Sequence, residues 1–317
     1  MFRDKKKKID VIIFTYKRAM NLDACIDSVI MNCRQINYPI NIIYRNDSKH
    51  KKSYEYLKKI YNEKIKFHER KSENILKNIS LLLHPLNLLW ILKWHKIYKE
   101  YSNFKKIFEN ILKESKKEYI MLCTDDTVIT KKIYLDNIIL RLIKKNGKKY
   151  WFRSNFGLDL YSKKKFKFIN KNITWNANDR NISYFMKYHF QVEGSIYNKQ
   201  FLLEFVKPFI YYNPTTLEAI GFKEAGYRGY FKQMISPLKR SAFTVELNTV
   251  QQDTNLRKKE RANFSTKWLM KLFLKGYRFR YKNNKQNMKT IFELGNKRFV
   301  PNKIYLNFKK TIVEFIK

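Results

Sequence analysis

Acidic residues, cysteine, glycine and long apolar runs are all scarce in this chain, and each scarcity narrows what it can be. Only 27 Asp and Glu stand against 67 Lys and Arg, a formal charge of +40, so strongly acidic partners are favoured and basic ones disfavoured. Lys, Asn, Ile and Tyr are abundant throughout, so part of that charge is compositional. The three cysteines, Cys25, Cys33 and Cys123, are an odd number without metal-ligand spacing. That argues against a disulfide framework or a zinc site and for reduced thiols in a cytosolic compartment. The eight glycines form no Gly-x-Gly-x-x-Gly and no loop ending in Gly-Lys-Ser/Thr, which disfavours dinucleotide dehydrogenases and P-loop NTPases. The most apolar stretch, 79–94, is interrupted by His84, Pro85, Asn87 and Lys93. It falls short of the ~20 residues a transmembrane helix needs. The basic stretch 5–8 precedes an apolar run that ends at 14 and contains Asp10, so no signal peptide is read there.

What is present is a chain of 317 residues with ample apolar and aromatic content for a real core. Residues 9–15 read as a strand. A helix follows from near Asn21, with Leu22, Ile26, Val29 and Ile30 on one face. Strand 40–44 comes next, then a helix carrying Tyr54, Leu57, Ile60 and Tyr61, then strand 65–68. This alternation predicts an α/β fold with a parallel sheet. Residues 72–117 read as mostly helical, with 86–94 rich in Leu and Trp and taken as a buried helix. The central stretch, 119–130, opens with an apolar strand and reaches Asp125 and Asp126 where that strand ends. Two hard oxygen donors there suit Mg2+ or Mn2+ carrying a phosphate; the plainer alternative is an Asp cap on a helix starting near Lys131.

Further on, a helix over 133–145 closes at Gly147 and the sheet resumes at 149–154. The polar stretch 160–180 reads as a loop or lid, and regular structure returns over 188–197. Asn213-Pro214 marks a helix start that Gly226 ends. Residues 240–247 read as a strand and 266–275 as a helix. Residues 1–276 are read as one domain with halves at 9–130 and 131–276, followed by a basic tail, 277–317, expected to be helical.

Three loops fall at the carboxyl ends of strands: 15–18, 46–48 and 124–127. Ligands of open α/β sheets bind at that edge. Asp10-Val-Ile-Ile-Phe-Thr-Tyr-Lys-Arg18 resembles the opening strand and loop of GT-A glycosyltransferases of the family 2 type. Asn46-Asp47-Ser48 is similar to their second acidic loop, and Leu122-Cys-Thr-Asp-Asp126 to their metal-binding Asp-x-Asp element. The likeness spans roughly 9–250, with Phe14 in place of the usual Pro and Cys123 in place of the first Asp. It implies a GT-A fold, a mainly parallel Rossmann-like sheet with a smaller mixed acceptor-side region. It also implies an inverting transferase that moves a sugar from a nucleotide-diphosphate donor to a hydroxyl. On this resemblance Thr15, Arg18, Asp47 and Asp125 bind the nucleotide, and Asp126 with Asp125 holds Mn2+ or Mg2+. Glu218, at a helix start, is the catalytic base, with Glu193 and His189 in reserve. The loop 248–253, with Arg257, would close over the diphosphate.

The expected acceptor is a glycan or a lipid-linked glycan of surface polysaccharide. The basic surface would then sit on the inner, anionic face of a membrane. No specific nucleic acid is expected as partner. Two rivals stand beside this reading. A sugar-phosphate nucleotidyltransferase would share the architecture but normally carries a Gly-rich N-terminal signature, absent from 14–21. An RNA-binding protein would explain the charge and the interspersed aromatics, yet no aromatic RNP-type strand is present.

Overall fold

In a computed structural model of the chain, the structure describes residues 7–45, 48–73, 101–158, 166–245, 265–281, 298–300, 303–308 and 311–316. The organising element is a nine-stranded sheet of order β3-β2-β1-β4-β9-β6-β10-β8-β7. Its first four strands, β1 (Ile9–Tyr16), β2 (Ile40–Arg45), β3 (Ile65–Arg70) and β4 (Tyr119–Thr124), are all parallel. In β1, Val11 and Ile13 enter one core while Ile12 and Phe14 enter the other; in β4, Met121 and Cys123 part from Ile120 and Leu122 in the same way. The pleat sends successive side chains to opposite faces, and because both faces are covered the strands read as unbroken apolar runs.

One cover is built by α1 (Ala19–Asn32), α2 (Lys51–Tyr61), α4 (Asn137–Lys145) and α7 (Thr266–Leu274), through residues such as Leu22, Leu57, Ile143 and Phe273. The other is built by α3 (Phe104–Glu114), α5 (Lys199–Val206) and α6 (Pro214–Arg228), through Phe108, Phe205 and Leu217 among others. Beyond β4 the sheet becomes mixed. The strand β9 (Ser195–Asn198) runs antiparallel to both β4 and β6 (Tyr150–Arg153), while β10 (Gln233–Pro237) is parallel to β6. A fully parallel half thus meets a mixed half, as expected of the fold class.

Several expectations are corrected in detail. The helix after Asp126 starts at Asn137, because Thr127–Ile129 is a strand, β5, paired antiparallel with β11 (Ala242–Thr244). Its cap is Asp136, whose side chain accepts from the Ile139 amide at 2.9 Å, so the Asp125-Asp126 turn caps no helix. Arg18, not Asn21, precedes α1. Lys167–Ile169 and Asn172–Asn176 pair as a hairpin, β7 and β8, at the sheet edge where a lid was read. Residues 188–194 are a buried loop held by the Tyr197 hydroxyl, which donates to the Gln191 carbonyl at 2.7 Å. Helix α6 runs past Gly226 to Arg228 and ends at Gly229 in the left-handed region.

The described part of the tail is not helical. Its strands β12 (Arg278–Tyr281), β13 (Arg298–Val300), β14 (Lys303–Phe308) and β15 (Thr311–Ile316) form an antiparallel sheet of order β12-β15-β14-β13. The sequence of β15, Thr-Ile-Val-Glu-Phe-Ile, is rich in β-branched residues, which favour a pleated surface over a helix. The apolar stretch 79–94 and the loop 248–253 with Arg257 lie outside the described residues.

Candidate active site

The site grows from the carboxyl ends of β1 and β4. Those strands pair in register through Phe14 and Thr124, and the Asp125 amide donates to the Phe14 carbonyl at 3.0 Å. Between β4 and β5 only Asp125 and Asp126 remain, in a tight turn clasped by the Thr124 and Thr127 hydroxyls 2.9 Å apart. A turn this short, fixed at both ends by sheet pairing, aims both carboxylates at the β1 loop.

Asp125 is buried and fully engaged. One oxygen accepts from the Thr15 hydroxyl at 2.8 Å and from the Tyr16 amide at 3.4 Å; the other accepts from Arg18 Nη1 at 3.0 Å. The same Arg18 nitrogen donates to Asp126 Oδ2 at 2.8 Å. Burial pushes the Asp125 carboxyl up to about 6, with the Asp126 charge adding to it, while Arg18 and the Thr15 hydroxyl pull it back. Burial works against the charge of Arg18 as well, but the two carboxylates outweigh it and the guanidinium stays a cation. Behind Thr15 lies Tyr54 of α2, its hydroxyl 3.3 Å away; burial raises that phenol, which therefore stays neutral.

Thr15, Arg18, Asp125 and Asp126 are thus brought together, whereas Asp47 lies outside the described residues. Cys123 does not join them. Its side chain belongs to the core under α1, where the nearby Cys25 thiol donates to the Thr124 carbonyl at 3.4 Å. The donor set fits a two-carboxylate Mn2+ or Mg2+ site poorly, since both Asp125 oxygens are taken and a guanidinium sits between the pair. Among the described residues no group of three or more His, Cys, Asp or Glu is placed to hold a metal ion.

The second half of the site is presented by α6 and by the loop before β9. The N-terminus of α6 is fixed by a capping box, in which the Thr216 amide donates to Asn213 Oδ1 at 2.8 Å and the Asn213 amide to the Thr216 hydroxyl at 3.1 Å. Glu218 follows in the next turn. Burial pushes its carboxyl up to about 8, and the neighbouring Glu193 charge adds to the rise. A hydrogen bond from the Val192 backbone and the charge of Arg153 act the other way, and Asp126 adds a smaller upward push. The two halves meet at the end of β11, where the Val245 amide donates to the Asp126 carbonyl at 2.7 Å and the neighbouring Thr244 hydroxyl to Glu193 at 2.8 Å.

Glu193 has a different environment. One of its oxygens accepts from the Thr244 hydroxyl at 2.8 Å, from Gln191 Nε2 at 3.0 Å and from Asn155 Nδ2 at 3.3 Å. His189 is not part of this group. Its Nε2 meets Asn178 Oδ1 at 2.7 Å, and its ring lies against Gly226, eight residues and about 12 Å along α6 from Glu218.

Reasoning from sequence did not single out Arg153, Tyr188 or Phe222. Arg153, at the end of β6, donates through Nε to Asn155 Oδ1 at 2.9 Å and through Nη1 to the Phe185 carbonyl at 2.7 Å. The ring of Tyr188 stacks on that of Phe222, one turn beyond Glu218, with centroids 4.5 Å apart. Next to them Tyr184 and Phe185, each 63% exposed, extend the aromatic surface outward. The signal that could have found Tyr188 and its neighbours is the aromatic density of 184–190, seven residues containing Tyr184, Phe185, Tyr188 and Phe190.

Comparison with known proteins gives little beyond this. No protein-family model matches the chain, and no curated protein matches it. Among solved structures it is similar to 4-diphosphocytidyl-2C-methyl-D-erythritol synthase from Anaerococcus prevotii, at 12% identity and TM-score 0.37 over 79% of this chain and 93% of that one. It is also similar to TarS of S. aureus, at 11% identity and TM-score 0.40, over 98% of this chain and 60% of that one. Both TM-scores fall below 0.5, and what this chain does is therefore read from its own residues.

Proposed function

We propose that the chain is an inverting glycosyltransferase that uses a nucleoside-diphosphate sugar. The observation that supports it best is the Thr15-Arg18-Asp125-Asp126 cluster at the carboxyl edge of a parallel sheet, joined through Val245 and Thr244 to Glu193, whose charge helps to raise the Glu218 carboxyl. In this reading the nucleotide lies against the β1 and β4 loops, with Arg18 beside its diphosphate. The acceptor lies against the aromatic surface of Tyr184, Phe185, Tyr188 and Phe222. The acceptor hydroxyl oxygen forms a bond to the anomeric carbon from the face opposite the diphosphate. Its proton passes to the Glu218 carboxylate, and the electron pair of the breaking carbon–oxygen bond leaves with the nucleoside diphosphate. A carboxyl near 8 is basic enough to take that proton without requiring strongly alkaline conditions. The Glu193 charge disfavours charge on Glu218 and so keeps it a strong base.

A surface of net charge +40 suits an acceptor embedded in an anionic membrane. Among the described residues no helix is long and apolar enough to cross one. The proposed contact is therefore peripheral, and sedimentation with vesicles should require anionic lipid.

The test is incubation with a panel of UDP-, GDP- and CDP-linked sugars while nucleoside diphosphate release is followed. One donor should be consumed by the native protein and spared by Glu218→Gln. Release of pyrophosphate from a nucleoside triphosphate and a sugar phosphate would instead show nucleotidyl transfer and overturn the reading.

A further inference from the structure

We propose that Arg18 occupies the place of the divalent cation, so that the donor diphosphate is held by cations of the chain and binds without metal. The inference rests on the nucleotide-binding reading above. Its ground is geometric: a single guanidinium nitrogen lies 3.0 Å from Asp125 and 2.8 Å from Asp126. The remaining Asp125 oxygen is held by Thr15 and the Tyr16 amide. A divalent ion bridging these carboxylates would have to break two charge-assisted hydrogen bonds and leave a guanidinium that is only 10% exposed beside another cation. Stripping a buried cation of its carboxylate partners leaves an uncompensated buried charge, which opposes such an exchange.

The surroundings point the same way. Arg18 immediately precedes α1, a helix of 14 residues whose first turn contains no acid and whose N-terminus no side chain caps. Its dipole therefore adds positive potential at the Arg18 end. Lys17 Nζ lies 4.8 Å from the Tyr16 ring centroid, and the Arg45 guanidinium, at the end of the neighbouring strand, 5.6 Å from it. Lys17, Arg18 and Arg45 thus crowd the edge where a diphosphate would lie. A guanidinium never deprotonates in the working range, and its fork of five N–H donors suits carboxylate and phosphate oxygens together. A cation fixed by the fold is present whether or not metal is supplied.

The experiment is calorimetric titration of the full chain with UDP, GDP and CDP, each in EDTA and in Mn2+, together with Mn2+ alone. The expected result is that one nucleotide binds with a Kd equal in the two buffers to within about twofold, while Mn2+ alone gives no heat of binding. Tightening by about tenfold or more in Mn2+, or binding of Mn2+ to the free native protein, would overturn the inference and leave the nucleotide reading intact. No binding of any nucleotide in either buffer would overturn both. Arg18→Gln should weaken binding in EDTA by about tenfold or more, and should bind Mn2+ once the carboxylates lose their counter-ion. Unchanged affinity of that variant in EDTA would also count against the assignment. If circular dichroism shows that the variant does not fold, the comparison of buffers on the native protein still decides the matter.

Discussion

The Thr15 hydroxyl donates to Asp125 Oδ2 at 2.8 Å across 110 residues of chain, joining the carboxyl ends of the two central parallel strands. The side-by-side pairing of β1 and β4 makes this bond possible, and a hydroxyl on the Thr15 β-carbon reaches the carboxylate while the β-branched frame suits the strand. Thr15→Val keeps the shape and removes the donor, leaving a buried carboxylate short of one hydrogen bond. The cost should be about 1–3 kcal/mol of stability. Nucleotide affinity should fall alongside, because Asp125 is then less well fixed. Thr15→Ser should retain most of both in denaturant melts and in calorimetry.

Glu218 makes activity and stability respond to pH in opposite directions. As a base it must lose its proton, so turnover should rise with pH and level off above about 8. Folding shows the reverse trend. Between the ordinary carboxyl value and about 8, the folded protein keeps a proton that the unfolded chain has released, so stability falls as pH rises through that window. Glu218→Gln should lower turnover by about 100-fold or more, flatten the pH profile, and raise Tm at pH 8–9 by roughly 2–4 °C for each kcal/mol relieved. A Glu218→Gln protein that is inactive but no more stable than native at pH 9 would deny the group its raised value.

The parallel half was legible because strands covered on both faces read as short apolar runs, and the two acids fell where β4 had to end. The bridge from Arg18 to both acids was not legible. Arg18 and Asp125 are 107 positions apart, and no local pattern says that a loop cation will choose carboxylates over solvent. The start of α4 was misplaced because Thr127-Val-Ile suits the beginning of a helix as readily as a strand until its partner, Ala242–Thr244, is known. Arg153 went unnoticed since a basic residue ending a strand is ordinary in a chain this rich in Lys and Arg. The helix start at Asn213-Pro214 was legible from its cap and proline, whereas Glu218 was chosen only because the resemblance implies an acid at that helix start.

The C-terminal sheet is fastened to the parallel half by a second buried acid. Arg278 Nε lies 3.2 Å from Asp23 Oδ2 on α1, and the Tyr61 hydroxyl donates to Asp23 Oδ1 at 3.0 Å. Burial raises the Asp23 carboxyl to about 6, with Arg278 and the Tyr61 hydrogen bond restraining the rise and Asp27 adding to it. Arg278→Ala should destabilise the protein by about 1–3 kcal/mol at neutral pH. The deficit should shrink as pH falls through about 6, where Asp23 takes up its proton and the missing cation no longer matters. Adding Asp23→Asn should recover most of the loss. A deficit that does not change with pH would assign the effect to the stacking of Arg278 on Phe273, whose centroid is 4.2 Å away, rather than to the ion pair.

Two glycines with nearly the same backbone conformation separate strain from crowding next to Glu193. Gly194 has φ of 66° and Gly229 has φ of 69°, so alanine at either position pays a similar left-handed penalty, about 1–2 kcal/mol. Around Gly229 a β-carbon would meet nothing within 4 Å, whereas at Gly194 it would run into the Ser154 hydroxyl. That hydroxyl is buried and donates to the Gly194 carbonyl at 2.6 Å, so it has no room to withdraw without losing its bond. Gly194→Ala should therefore lose about 1–3 kcal/mol more than Gly229→Ala in denaturant melts. The backbone shift it forces would move Glu193 away from Thr244 and Gln191, and the electrostatic pressure on Glu218 would change with it. The pH at which turnover levels off should accordingly move in Gly194→Ala and stay in place in Gly229→Ala. Equal shifts, or none in either, would mean that Glu193 does not tune Glu218.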